Sequence, residues 1–158
     1  MTNRKEYNII KEPSGGIYTE LLNYSLNTCD KFSLVERNFE KSDEFQKAME
    51  ILDKFLIQKE KTNKWPGTEL LGSLDYGMVN YYELNHKSVD ILLNLSNRLY
   101  NWNYPERPED LILIRKDGNP WLVTISHEED AYFEMTEDEM KLICLDVEGL
   151  SGLLDISI

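Results

Sequence analysis

Long apolar runs are missing from this chain, and so is the apolar core of a signal peptide. Nothing in it approaches the roughly 18 residues needed to span a bilayer. The opening Met1-Thr2-Asn3-Arg4-Lys5-Glu6-Tyr7 is polar, so the sequence reads as cytoplasmic and free of membrane. Cysteine is scarce: Cys29 and Cys144 are the only two. Neither has a second Cys or a His at ligand spacing, which makes free thiols in a reducing compartment the expectation. No Gly-flanked Ser elbow occurs and neither Cys has a nearby His, so nucleophilic catalysis finds no support. Gly15-Gly16 opens no Walker or dinucleotide pattern, and no cofactor is expected. Positive charge is the last shortage. Seventeen Lys and Arg face 29 Asp and Glu, a net of −12, and such a field repels nucleic acid.

What the chain does have is the makings of one core. A length of 158 residues suits a single domain, and 41% hydrophobic with 29% charged residues is a globular composition. The negative charge is uneven. From Pro105 to Ile158 there are 14 acidic residues against 4 basic, whereas residues 1–104 hold 15 against 13. An acidic C-terminal third steers cationic partners inward; the plainer reading is that it only keeps the domain soluble.

Residues 1–16 are polar and end in the turn signal Pro13-Ser14-Gly15-Gly16, with Ile9 and Ile10 as the anchor of a short edge strand. Ile17, Tyr18, Leu21, Leu22 and Leu26 recur at helical steps, and Phe32 to Arg37 alternate as a strand. Ser42-Asp43-Glu44 starts a helix whose stripe Phe45, Ala48, Met49, Leu52, Phe55 and Leu56 predicts a run over about 43–61. Lys64-Trp65-Pro66-Gly67-Thr68 reads as a loop. Met78 to Leu84 reads as a strand, and a second long helix, opened by Ser88, is expected over about 89–102.

The strongest pattern runs from Pro105 to Phe133. Asp110 to Arg115 and Trp121 to Ser126 form a hairpin around Lys116-Asp117-Gly118-Asn119-Pro120, in which Asp and Gly tolerate positive φ. Thr136-Glu137-Asp138-Glu139 has capping-box spacing. The apolar tail 150–158 closes a sheet edge or docks elsewhere. The expected fold is a single α+β domain, 1–158, with a mainly antiparallel sheet and a central hairpin, about 111–126, covered by the two long helices.

Phe32-Ser33-Leu34-Val35, Trp65-Pro66-Gly67-Thr68, Arg98-Leu99-Tyr100-Asn101-Trp102, Pro108-Glu109-Asp110-Leu111, Trp121, Ser126-His127-Glu128 and Asp130-Ala131-Tyr132 together resemble a family of small acidic bacterial cytosolic proteins. Some of its members carry a stage III sporulation label. The resemblance covers most of 32–132 and implies bacterial origin without an activity. Size and acidity are also similar to those of immunity proteins of bacterial toxin systems, a likeness of composition alone.

Chemistry concentrates after the hairpin. His127, Glu128 and Asp130 could hold a divalent metal or move protons in a small metal-assisted hydrolase. A zinc helix motif would need a second His where Ala131 stands, and a solvated turn, Glu128-Glu129-Asp130, is the plainer account. Glu109 and Asp110 are expected to pair with Arg98, Arg107 or Arg115. Trp65, Trp102 and Trp121 either line a recognition surface or fill the core. The leading expectation is a non-enzymatic protein that binds a cationic protein partner through Glu109, Asp110, Trp121, His127, Glu128, Glu129, Asp130 and Trp65. A housekeeping or scaffold domain is the third possibility.

Overall fold

The computed structural model describes residues 3–72 and 74–156. In chain order the elements are β1 (Lys5–Ile9), α1 (Gly15–Ser25), β2 (Cys29–Glu36), α2 (Asp43–Leu52), β3 (Leu56–Thr62), β4 (Lys64–Trp65), β5 (Thr68–Glu69), β6 (Gly77–Glu83), α3 (His86–Leu95), β7 (Glu109–Arg115), β8 (Pro120–Ile125), β9 (Asp130–Met135) and α4 (Glu137–Asp146). Seven strands form one antiparallel sheet in the order β1-β9-β8-β7-β2-β6-β3, and β4 pairs only with β5. The fold is α+β.

One face of the sheet carries the four α-helices of the described residues. Leu21 and Leu22 of α1, Leu52 of α2, Val89 and Leu92 of α3 and Ile143 of α4 are fully buried in a single cluster with Phe32, Leu34, Leu111, Leu113 and Phe133 from the strands. The buried residues of each helix stand three or four apart, which is why the 3.6-residue repeat is visible in the sequence. Within the layer Trp102 Nε1–H donates to Tyr18 Oη at 2.9 Å, so two large side chains are buried with their polar atoms satisfied.

The two long helices of the sequence reading are not there. The helix that opens at Asp43 ends at Leu52, and Leu56–Thr62 instead pairs with Gly77–Tyr82 along the sheet edge. The apolar recurrence stops at Leu56, and the polar run Gln58-Lys59-Glu60-Lys61 suits an exposed edge strand, where charges discourage pairing with other chains. Ser42 Oγ donates to Pro105 O and caps nothing. The helix expected over 89–102 runs over His86–Leu95, capped at Asn85 with Ser88 as the reciprocal partner. It stops because Ser96 Oγ donates to Arg98 O and accepts from Arg98 N–H, while Asn97 O accepts from Gly15 N–H. These local bonds compete with the helical ladder. The hairpin of β7 and β8 is present, but β7 pairs as extensively with β2, and the sheet as a whole is the centre.

Bulges break the alternation of the central strands, and two of them bear on the site. Leu113 faces Leu122 while Ile114 faces Pro120, so Trp121 is an extra residue, and both Trp121 and Leu122 enter the helix-side core. On β7, Ser33 faces Ile112 while Val35 faces Glu109, so Asp110 and Leu111 together oppose Leu34. Asp110 takes φ +58°, the left-handed conformation that Asp tolerates better than most residues.

The second face is covered by a short strap, Lys64–Glu69. Trp65 packs with Val35, Val79, Ile112 and Ile114. Pro66 and Gly67 make the turn, with Gly67 at φ +86°. A Cβ on Gly67 would stand 2.9 Å from both Ile125 Cγ1 and Val123 Cγ1, so the bare backbone seats the strap on β8. Gly67→Ala is expected to cost on the order of 2 kcal/mol, from the strained φ and the forced separation of strap and sheet. An unchanged urea midpoint would show that the strap does not sit there.

Candidate functional site

Between the strap and the end of β8 lies an open cleft of about 500 Å³, lined by Arg37, Phe39, Leu70, Glu109, His127 and Glu128 among others. Its floor follows from the β7 bulge. Strict alternation would send Glu109 and Asp110 to opposite faces; the extra residue puts Glu109 opposite Val35, on the strap face, beside Asp110.

Asp110 is bonded on every side. Its Oδ1 accepts from Ser126 N–H at 2.8 Å, its Oδ2 from Trp65 Nε1–H at 2.9 Å, and its own N–H donates to Ser126 Oγ at 3.0 Å. The carboxylate therefore ties the strap, β7 and the short helical turn Ser126–Glu128 into one unit. Burial raises its pKa, opposed first by the Trp65 bond.

Glu109 is 2% exposed and has one cationic neighbour, Arg37, with Nη1 at 3.4 Å from Oε1. Burial first, and the Asp110 charge second, push its pKa up from 4.5 to about 7 against the pull of Arg37. Arg37 is itself held in place. Tyr104 Oη–H donates to Arg37 O and accepts from Arg37 N–H, and the guanidinium lies 4.7 Å from the Phe39 ring centre and 5.8 Å from that of Trp65.

Of the residues singled out in the sequence, Trp65, Glu109, Asp110, His127 and Glu128 meet here. Trp121 does not: it is buried on the helix side against Tyr24 and Phe133. Glu129 is an exposed turn residue at φ +50°, and the Asp130 carboxylate accepts the Ala131 N–H. Both lie near Tyr100, whose pKa burial raises to about 12 with help from their charge. The metal set expected as His127, Glu128 and Asp130 is thus not assembled; ligand atoms of Glu109, Asp110 and His127 are the ones that come within 4.8 Å of one another. Arg98 pairs with Glu12, Arg115 with Glu139, and Arg107 donates to Leu95 O. The partner of Glu109 is Arg37, 72 positions earlier, and no local spacing announces it.

The 14 acidic residues of the last third divide. Among the described residues four of them form an ion pair with Lys or Arg: Glu109 with Arg37, Asp117 with Arg4, Glu137 with Lys141 and Glu139 with Arg115. Glu128, Glu129 and Asp130 cluster at the β8–β9 turn, while Asp138, Asp146 and Glu148 belong to α4 and its end. Large apolar side chains also stand out of the surface: Leu71 is 97% and Leu74 90% exposed on the β5–β6 connection, next to the cleft residue Leu70.

No family model, curated protein or solved structure matches the chain.

A raised carboxyl pKa disfavours folding where the group must ionise. The Glu109 contribution is fully present below pH 4.5, declines as pH rises, and is gone above about 7. The wild type should therefore lose on the order of 3 to 4 kcal/mol across that window from this group, at ~1.4 kcal/mol per pKa unit. Glu109→Gln, which mimics the neutral acid, should flatten the profile and raise the melting temperature at pH 8. Parallel pH profiles of the two proteins would contradict the assignment.

Proposed function

We propose that this protein is a non-enzymatic binding domain that docks a cationic protein partner on its strap face. The observation that carries the reading is the joining of two features at one place: a cleft edged by Glu69, Glu109 and Glu128, and the almost fully exposed Leu71 and Leu74 on the connection that borders it. Exposed apolar side chains grouped at one place mark contact sites. Carboxylates in the adjoining cleft favour a basic partner and speed its encounter. Immunity to a basic toxin of the nuclease type is the most concrete form of this function, and a net charge of −12 suits it.

One observation favours a second reading, a metal-assisted hydrolase. Glu109, Asp110 and His127 offer two carboxylates and an imidazole within 4.8 Å, a donor set suited to a divalent ion. Against it, both Asp110 oxygens already accept hydrogen bonds and the Arg37 guanidinium stands beside Glu109. The docking reading expects zinc or manganese to leave the melting temperature of the wild type and of His127→Ala unchanged. A metal-dependent rise in the wild type that His127→Ala abolishes supports the hydrolase.

For the docking reading itself, affinity capture from the native cell should yield a basic protein. Its complex should weaken at least about tenfold between about 50 and 300 mM NaCl, as the Debye length shortens. Recovery of acidic proteins only, or a complex indifferent to salt, contradicts it.

A further inference from the structure

We propose that the cleft beside the strap is a receptor for a single arginine side chain of the partner, with Glu109 as its principal acceptor. The inference rests on the docking reading and says which chemical group of the partner is recognised.

Glu109 has an acceptor to spare. Its side chain is 3% exposed, it lines the cleft, and its one hydrogen bond among the described residues uses Oε1 with Arg37 at a long 3.4 Å. Among the described residues Oε2 has no protein partner, and it is not one of the polar atoms cut off from solvent, so it faces the water of the cleft and is open to a donor that enters. Charge points the same way. Glu109 and Asp110 are buried side by side and Glu69 and Glu128 line the same cleft, whereas Arg37 is the one Lys or Arg in its lining, so the site favours an entering cation over an anion.

Shape and surroundings select arginine among cations. A planar guanidinium can bond a carboxylate through two parallel N–H groups and still present its face to an aromatic ring, which an ammonium cannot. Phe39, 48% exposed, lines the cleft and already has one guanidinium against it at 4.7 Å. The volume of about 500 Å³ falls within the range of ligand pockets. Arg37 then fixes the position of the Glu109 carboxylate, and Leu71 and Leu74 meet the apolar surface around the inserted side chain. A buried charged contact with an apolar border is the arrangement found at interface hot spots.

The test is an NMR titration of the full chain with N-acetyl-arginine amide, with N-acetyl-citrulline amide as the neutral isostere and Glu109→Gln as the variant. The arginine compound should give saturable backbone shifts confined to residues 37, 67–70, 109 and 125–128, and it should lower the pKa of Glu109, read from its side-chain carboxyl carbon. Citrulline, and arginine on Glu109→Gln, should bind at least about tenfold more weakly. Equal binding of citrulline, shifts spread over α4 at Asp138 and Asp146, or no saturable shift each overturn the proposal. The docking reading fails separately. A basic partner that binds wild type and Glu109→Gln alike sinks the arginine receptor and leaves docking standing, whereas arginine binding without any basic partner in the native cell does the reverse.

Discussion

Asp110 is the residue on which the strap face depends. Its carboxylate accepts from the Trp65 indole and from the Ser126 amide, and its own amide donates to Ser126 Oγ. Three segments far apart in the chain thereby meet at one group. A buried carboxylate is costly to desolvate, and its left-handed backbone, φ +58°, adds strain that persists only where the surroundings fix it. The compensation lies in the bonds just named, and their consequence is geometric. The strap is held across the sheet, the turn carrying His127 and Glu128 is held against β7, and the gap left between them is the cleft.

The bulge at Asp110 explains why charge accumulates there. In a regular strand neighbouring side chains point to opposite faces, and Glu109 would be sent towards the helix layer. The extra residue puts it beside Asp110 instead, in a partly apolar wall with one arginine for company. A carboxyl with a pKa near 7 is the result: the charge is disfavoured at rest and would be favoured by an incoming cation. The same device on β8 sends Trp121 to the opposite face, into the core with Tyr24 and Phe133.

The sequence is readable where a local signal stands alone. The stripe Phe45, Ala48, Leu52 gives a helix, the apolar runs of Asp110–Arg115 and Trp121–Ile125 between turn residues give strands, and Thr136 with Glu139 gives a capping box whose two bonds are present. Reading failed where tertiary pairing overrode local preference. Leu56–Thr62 continues a helical composition but is drawn into the sheet by β6, and Ser96 ends a helix whose apolar pattern runs on. The candidate site was half legible. His127, Glu128, Glu109, Asp110 and Trp65 were identified by residue type, yet the bulge that unites them and the Arg37 that faces them depend on register and on contacts 72 residues apart. Trp121 was misplaced for the same reason, since alternation cannot reveal an inserted residue.

The Asp110 carboxylate holds the strap against the sheet, and exchange of the Trp65 indole N–H with deuterium reads that bond directly. Protection of the indole proton as strong as that of the β7 amides at Leu111–Leu113 is predicted, because the strap and the sheet open together. Exchange at the rate of a free indole would show the strap detached, and with it neither the cleft nor its carboxylate arrangement would exist.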